Sequence, residues 1–477
     1  MDRLPWSAFH WRMIFALGIT WVLDGIEIGL ASAVGDVLRH KETLALDAQT
    51  VGLSGTLYLT GEVLGALYFG RKADKLGRRK LFIVTLALYL VANGLTSLSF
   101  STWFFLLTRF IAGMGIGGEY AAIHSAIDEL TPARYRGRVD IAIAGTYWAG
   151  AAIAAGAQIL LLNPDLIPID LGWRISLVLG PLIGLSIWPL RKYIPESPRW
   201  QLTHGMEKEA EATVDAIEAD LRAKGVVLPD VDPAHAIAIR KQKEPSILEV
   251  ASILFRKYFK RLVLGVTLMG TQSFLYNAIF FTYALVLTQF YDVSATRVPL
   301  YGLAFSVGNL MGPLLLAPLF DTVGRRKMIS GTYILSGVLL AISGWLFDNG
   351  DLTANSQTFV WIVIFFFASA GASSAYLTVS ETWPIEIRAE AIAVFFAIAQ
   401  LFGALGPAFY GWLIGDGQSR TGLFIGYLIG GGIMIFGGII EIIFGINAEG
   451  KSLEDVTKPL TATDEPAPAA SAVPGPA

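Results

Sequence analysis

Apolar stretches of about 20 residues recur along this chain of 477 residues, and a helix of that length crosses a hydrocarbon core of ~30 Å. Only 16% of the residues are charged, whereas a soluble protein of this size carries roughly 25%. The chain is therefore predicted to be an all-α membrane protein rather than a soluble protein with buried core helices. We count about twelve spans, near residues 12–35, 50–70, 79–99, 102–126, 137–162, 172–191, 262–290, 297–319, 328–347, 357–380, 388–414 and 420–446.

A charged loop occurs twice in the sequence. The segment Gly70–Lys80 returns in shortened form as Asp321–Lys327, and each copy lies between two apolar stretches. Such an internal repeat predicts two homologous bundles, and many carriers hold their solute between two bundles. Basic residues cluster in these loops and at 134–138. The positive-inside rule therefore places the loops and both termini in the cytoplasm, in a multi-pass protein of the cell membrane.

Composition divides the chain into four parts. Residues 1–191 and 258–446 are predicted to form two six-helix bundles. The polar stretch 192–257 is interpreted as a cytoplasmic linker with short amphipathic helices, because a short segment with few aromatic residues makes a poor core of its own. Residues 447–477 end in a Pro/Ala/Thr-rich sequence that cannot bury a core, so this tail is expected to be mostly disordered.

The sequence also disfavours several function classes. It contains no cysteine, which excludes disulfides, thiolate metal sites and a cysteine nucleophile. It has no Walker loop, no G-x-S-x-G elbow and no His/Asp/Glu cluster with metal-ligand spacing. We therefore expect no enzyme activity, no cofactor and no metal site. The expected partners are a small solute, a proton and the lipid bilayer, without nucleic acid, and the chain is expected to act as a monomer.

Several ionisable residues fall inside predicted spans of the first half, where a charge is costly and usually marks a pathway or coupling site. Asp24 and Glu27 are three residues apart and share one face of the first helix. Glu62 and Arg109 lie in the second and fourth spans. A rise of ~1.5 Å per residue places Glu27 and Arg109 at the same depth, about 10 Å below the outer membrane edge. The two side chains are therefore able to pair if their helices face each other.

An acid beside an arginine in a cavity suits proton coupling. The arginine keeps the carboxylate ionised while the pair is close and solvated, and separation or drying of the site loads a proton. Glu27, Asp24 and Arg109 are assigned this role. Glu62 is interpreted as a second protonatable site or as a neutral, hydrogen-bonded acid. The alternative is a static ion pair that holds the first and fourth helices together.

The second half lacks a deep acid, so its mid-membrane polar residues are expected to supply hydrogen bonds to the solute. These residues are Gln272, Tyr276, Asn277, Tyr283, Asn309, Ser373, Ser374 and Gln400. For Tyr276, Tyr283 and Asn309 packing is the preferred interpretation, and for Gln272 and Asn277 the alternative is interhelical hydrogen bonding.

Charged residues at the cytoplasmic helix ends are expected to form a gate network that holds in the outward-facing state and breaks as the carrier opens inward. The alternative is that the basic loops serve membrane topology alone. The members are Asp74, Arg78, Arg79, Glu119, Glu129, Arg138, Asp321, Arg325, Arg326, Glu381 and Arg388. His124, near the same end of the fourth helix, is interpreted as a satisfied helix-end histidine rather than a proton relay.

Several motifs occur in the order typical of one family. The first basic loop follows the pattern G-x-x-x-D-x-x-G-R-[RK], and Arg109–Glu119 has the fourth-helix pattern of one branch. Pro195–Trp200 follows the sixth span and Gly450–Glu454 follows the twelfth. Glu381–Arg388 follows the tenth as E-x-x-P-x-x-x-R, with Glu129–Arg138 as its partner in the first half. From about residue 12 to 455, the chain resembles the major facilitator superfamily, in its branch of sugar porters and metabolite–proton symporters.

The resemblance implies two six-helix bundles related by a pseudo-twofold axis, which alternate in exposing a central site. It matches Glu27 and Arg109 to the acid–arginine pair of proton-coupled sugar porters. Asp24 matches an acid found in phosphate and organic-acid symporters. Gln272 and Asn277 match solute-binding positions of the seventh helix.

The chain departs from sugar porters at three places. Thr271 stands where the seventh helix has a second glutamine, the tenth span lacks the Gly/Pro-rich, Trp-bearing sequence, and the fifth lacks a Gln-Leu element, although Gln158 lies nearby. The solute is thus open between an organic acid and a sugar or polyol, bound by Gln272, Asn277, Gln158 and Gln400. Two further alternatives are a proton-independent facilitative sugar carrier and a transport-incompetent nutrient sensor.

Overall fold

The computed structural model describes residues 2–187, 195–229, 247–294, 297–414 and 419–462. These residues form helices and connecting turns, without a β-strand among them. In chain order the helices are α1 Ala8–Val37, α2 Ala48–Leu76, α3 Arg78–Ser97, α4 Thr102–Leu130, α5 Arg136–Gly145, α6 Tyr147–Leu161, α7 Ile169–Ile187, α8 Pro198–Thr203, α9 Glu207–Ala223, α10 Ile247–Ser252, α11 Phe259–Tyr291, α12 Val298–Thr322, α13 Arg325–Asp348, α14 Ala354–Glu381, α15 Arg388–Ile414, α16 Arg420–Phe444 and α17 Leu453–Val456.

The long helices account for the predicted spans. α5 and α6 together form the fifth crossing, which is interrupted at Thr146, and α11 to α16 form the second set of six. Nine helical stretches in the described residues are long and apolar enough to cross a membrane. α2 and α4 are also long, but they carry the buried charged residues Glu62, Arg109 and Glu119.

Glycines bring helices into backbone contact in the first half. A Cβ added to Gly25 of α1 would lie 1.9 Å from the carbonyl oxygen of Tyr147, and one added to Gly150 would lie 2.0 Å from that of Val22. Small residues allow this close approach between helices in lipid. α1 is therefore fixed against the junction of α5 and α6, at the level of its two acids.

The repeated loop has the same local structure in both halves. Gly77 and Gly324 precede the helices α3 and α13 with φ of 94° and 113°, a region that residues with a Cβ rarely adopt. The next residues, Arg78 and Arg325, are both buried. We call the end of the molecule that contains these two loops the basic end.

The connecting segments pack at the basic end. α8, α9 and α10 fall inside the predicted linker, and α9 buries Ile217 and Leu221 against Leu4. The division into bundles, linker and tail stays a prediction. α17 lies within the predicted tail, and its residues Leu453 and Val456 are buried, so the described part of the tail includes a packed helix. Residues 230–246 and 463–477 lie outside the described residues.

Candidate functional site: a buried acidic cluster beside a central cavity

Three buried carboxylates lie between the helices of the first half. Arg109 of α4 makes an ion pair with Glu27 of α1, and Asn93 Nδ2 of α3 donates a 2.6 Å hydrogen bond to the other oxygen of Glu27. The hydroxyl of Tyr120 donates to Asp24. Asp24, Glu27 and Glu62 are each at most 3% exposed. Arg109 also lies 4.2 Å from the ring centre of Tyr58.

Close helix packing explains why these side chains converge. α2 and α4 meet through glycines: a Cβ on Gly113 would lie 2.1 Å from the carbonyl oxygen of Tyr58, and one on Gly117 would lie 2.0 Å from that of Glu62. The glycine run of α4 therefore serves helix packing. It also fixes the backbone of Glu62 beside the helix that carries Arg109.

A cavity of about 360 Å³ lies between the two halves and reaches the buried cluster. Arg109, Gln272, Asn277 and Gln400 are in its wall. It extends toward Val51, near the first residue of α2 and therefore far from the basic end at the last residue of that helix. Aromatic rings from both halves cover much of the wall: Trp21, Tyr58, Phe105, Tyr120, Tyr147, Trp148, Tyr276, Phe280, Tyr376 and Phe396.

Gln158 lies apart from this cavity wall. Its Nε2 donates a 2.7 Å hydrogen bond to the backbone oxygen of Gly29, which joins α6 to α1. Gln400, one of the residues predicted to bind the solute, contacts the acidic cluster. Its amide donates a hydrogen bond to Glu62 across the seam between the two halves.

An aromatic layer separates the cavity from the basic end. Trp21 contacts the ring of Tyr120 edge-on at 4.7 Å and that of Tyr376 at 5.6 Å. Phe396 stacks on Tyr120 at 4.3 Å. Behind this layer His124 stacks on Tyr376 at 5.1 Å, and its Nδ1 lies 2.7 Å from Asp140 Oδ1. His124 is thus paired at one ring nitrogen, at the helix end where the sequence placed it.

Within each half, an arginine at the basic end bonds two acids. Arg78 lies 3.0 Å from Asp74 and 3.1 Å from Glu129. Arg325 lies 2.7 Å from Asp321 and contacts Glu381 at 3.1 Å through two nitrogens. The two clusters have the same composition, as expected for a duplicated bundle.

The same acids accept bonds from the opposite half. Arg388 lies 3.4 Å from Glu129, and Arg138 lies 3.0 Å from Asp321. Asp74 accepts a 2.9 Å hydrogen bond from the backbone N–H of Glu390. These contacts hold the two halves together at the basic end, so the cavity and the closed network lie at opposite ends of the molecule.

Three predicted network residues lie apart from these contacts. The side chain of Arg79 is exposed, although its backbone N–H bonds Glu196. Arg326 donates to the backbone oxygen of Ile442 on α16. Glu119 is buried and lies with Asp24 and Tyr120 around a small cavity.

Sequence reasoning missed Arg136, which is buried and lies 3.5 Å from Glu381 in the other half. A signal was present, since Arg136 follows Glu129 by seven residues, as Arg388 follows Glu381. Tyr120 and Asn93 were also missed. No spacing rule points to them, because their roles depend on which helices face each other.

The fold and site define a membrane carrier of two six-helix halves with a cavity between them. The family described as sugar (and other) transporter matches residues 24–459, and the chain belongs to this family. The predicted major facilitator fold and the sugar-porter and metabolite-transporter branch are confirmed. The protein is therefore a multi-pass membrane transporter and not an enzyme.

Two relatives indicate the kind of solute that similar carriers take. The chain is 25% identical to the niacin transporter NiaP of Acinetobacter baylyi over 457 residues, which cover 96% of this chain and 98% of that protein. It is 24% identical to the benzoate transport protein of the same organism over 429 residues, which cover 87% and 85%.

A solved structure shows the same fold. The proton:xylose symporter XylE of E. coli, bound to 6-bromo-6-deoxy-D-glucose, superimposes with a TM-score of 0.77 at 19% identity, and the match covers 94% of this chain and 98% of that chain.

Proposed function

We propose that this protein is a proton-coupled symporter of a small planar organic acid, which works as a monomer with its basic end and both termini in the cytoplasm. The observation that supports proton coupling is the buried cluster of three carboxylates beside Arg109. Taking several like charges out of water together is costly, so protonation within the group Asp24, Glu27 and Glu62 is favoured. Such groups in a membrane usually mark an ion or proton pathway.

The same cluster suggests how the solute and the proton are linked. Arg109 lies in the cavity wall but is bound to Glu27. When Glu27 accepts a proton, the guanidinium loses its carboxylate partner and is available to a solute carboxylate. Binding of the anion then favours protonation of Glu27, since the two binding events are thermodynamically reciprocal.

The aromatic wall supports a planar solute. Rings of Trp21, Trp148 and Tyr276 offer flat apolar faces, and aromatic rings prefer offset stacks or edge contacts with each other. An aromatic carboxylate fits this combination of rings and one arginine. Niacin and benzoate, which the two relatives transport according to their names, are solutes of this kind.

A sugar or polyol is the second candidate. The amides of Gln272, Asn277 and Gln400 in the cavity wall can donate and accept hydrogen bonds, as a hydroxylated solute requires. Proton-independent facilitation remains the alternative if Glu27 and Arg109 form a static pair.

Uptake into proteoliposomes tests the proposal. With an inward proton gradient, labelled nicotinate or benzoate should accumulate, and xylose should not. Glu27→Gln should abolish accumulation and leave exchange of preloaded solute, because the proton site is lost while the cavity remains. Asp165→Asn, at an exposed loop carboxylate, should behave as the wild type. Undiminished uphill uptake by Glu27→Gln would overturn the coupling role of Glu27, and accumulation of xylose alone would favour the sugar.

A further inference from the structure

One hydrogen bond connects the acidic cluster of the first half to the cavity wall of the second. Glu62 lies on α2 and is 1% exposed. Gln400 lies on α15, lines the cavity, and donates from its Nε2 to Glu62. This contact therefore crosses the seam between the halves and touches the space assigned to the solute.

The backbone on the Glu62 side of this contact has little freedom to move. Gly117 of α4 packs so closely that an added Cβ would lie 2.0 Å from the backbone oxygen of Glu62. When the protonation of Glu62 changes, the surrounding side chains therefore rearrange, and α2 does not shift. The partner best able to respond is Gln400, because the terminal torsion of a glutamine has two broad, nearly equivalent positions.

Titratable and charged groups face Glu62 from four other helices as well as its own. Asp24 adds negative charge and Arg109 adds positive charge near the carboxylate. The tyrosines that face it are Tyr58, Tyr120, Tyr147 and Tyr376. Since Arg109 is already bound to Glu27, the group that directly bonds Glu62 across the seam is the neutral amide of Gln400.

The chemistry of the amide makes this contact sensitive to the proton. An ionised carboxylate only accepts hydrogen bonds, so it takes the NH₂ group of Gln400 and leaves the amide oxygen for the cavity. A protonated carboxyl has an O–H to donate. The amide oxygen can accept that bond after a half turn, which presents the NH₂ group to the cavity.

We infer that Glu62 and Gln400 form an amide switch that makes binding of a solute carboxylate depend on protonation of Glu62. A carboxylate is an acceptor and binds the NH₂ face of Gln400, whereas the oxygen face repels it. The inference deepens the proposed function and rests on it, since it takes the solute to be an acid. It adds a second proton-linked contact to the one at Arg109.

The pH dependence of binding measures the switch. The dissociation constants of purified carrier for labelled benzoate and for uncharged benzamide are measured between pH 5.5 and 8. The slope of log Kd against pH counts the protons taken up with the ligand. Benzamide has both a donor and an acceptor, so its affinity should vary little with either orientation of Gln400.

Two substitutions separate the switch from a simple charge effect. Glu62→Gln gives position 62 an amide that pairs with Gln400 in either orientation, so the benzoate slope should fall by about one. Gln400→Met keeps the side-chain length but has no hydrogen-bond donor and only a weak acceptor, the thioether sulfur. It should lower the slope by the same amount, because Glu62 then has no amide to turn. The double variant should change the slope no further than either single variant.

The outcomes are distinguishable. A thermal unfolding midpoint close to that of the wild type verifies that each variant is folded. If Gln400→Met keeps the wild-type slope, direct repulsion by the Glu62 charge explains the effect and the switch is wrong. An unchanged slope in Glu62→Gln also overturns the amide switch. If Glu62→Gln fails to fold, the slope of Gln400→Met alone tests the switch. A benzoate affinity independent of pH in the wild type would instead contradict the proposed function itself.

Discussion

At the scale of single residues, the positive φ of the glycines in the repeated loop, Gly77 and Gly324, gives the clearest stability prediction. Gly324 has a φ of 113°, and an L-residue in such a conformation costs about 1–3 kcal/mol. Gly324→Ala should lower the thermal unfolding midpoint of the detergent-solubilised carrier, and Gly77→Ala should do the same in the first half. Gly331→Ala is the matched control, since a Cβ at that helical position meets no atom within 4 Å. Equal unfolding midpoints for Gly324→Ala and Gly331→Ala would contradict the predicted backbone strain at position 324.

For single residues, the sequence was sufficient to predict a contact where the depth of two side chains in the membrane determines whether they meet. Glu27 and Arg109 share a depth in the membrane, and they meet in the structure. Sequence reasoning placed Arg138 in the gate network and omitted Arg136, whereas Arg136 is the buried residue that reaches Glu381. Two residues along a helix turn a side chain through about 200°. Which of two nearby arginines points inward is set by packing, and the only sequence signal for Arg136 was its seven-residue spacing from Glu129, the same as that of Arg388 from Glu381.

The contrast between these two arginines is itself testable. Arg136→Gln removes one partner of a buried ion pair, which typically costs about 3–5 kcal/mol. Arg138 is 37% exposed at its side chain, so Arg138→Gln should cost about 0–1 kcal/mol. Thermal unfolding of the two purified variants measures the difference. A larger loss for Arg138→Gln would reverse the assignment of the inner network residue.

At the scale of elements, two family motifs far apart in the sequence meet at the basic end. Arg199, in the segment after α7, lies 2.7 Å from Glu454 of α17. Burial alone would raise the pKa of Glu454, but the charge and hydrogen bonds of Arg199 outweigh it and lower the pKa to about 2. Sequence reasoning recognised both motifs but did not predict the helix α17. The amino-acid composition indicates a Pro/Ala-rich C-terminal sequence, but it does not predict a helix that is held in place by one ion pair.

The lowered pKa of Glu454 fixes the sign of a pH effect. The stabilisation from Glu454 is fully present above its ordinary pKa of 4.5 and is lost as the pH falls toward 2. Glu454→Gln should therefore lower the unfolding midpoint at pH 7, and the difference from the wild type should shrink between pH 4.5 and 3. Asp455→Asn, at the exposed neighbouring carboxylate, serves as the control. A difference that grows in acid would be the wrong sign.

At the scale of the whole molecule, the sequence repeat predicted two related halves. The structure adds that an acid of each half binds an arginine of the other half. Glu129 binds Arg78 of its own half and Arg388 of the opposite half. Glu381 does the same with Arg325 and Arg136. Loss of one acid thus weakens both the helix ends of one half and the seam. The cavity lies at the other end, so the basic-end network favours the conformation in which that cavity is accessible.

The absence of cysteine from the chain makes this preference measurable. Ala372→Cys places one thiol in the cavity wall, where a membrane-impermeant maleimide added outside should label it. Adding Glu129→Gln removes the shared acceptor of two buried arginines, and unpaired buried charges are strongly destabilising. The population should shift toward the state open at the basic end, and labelling should slow several-fold. Asp170→Asn, in a partly exposed ion pair of α7 far from the basic end, should leave the rate unchanged. Equal rates with and without Glu129→Gln would show that the network does not set the conformation.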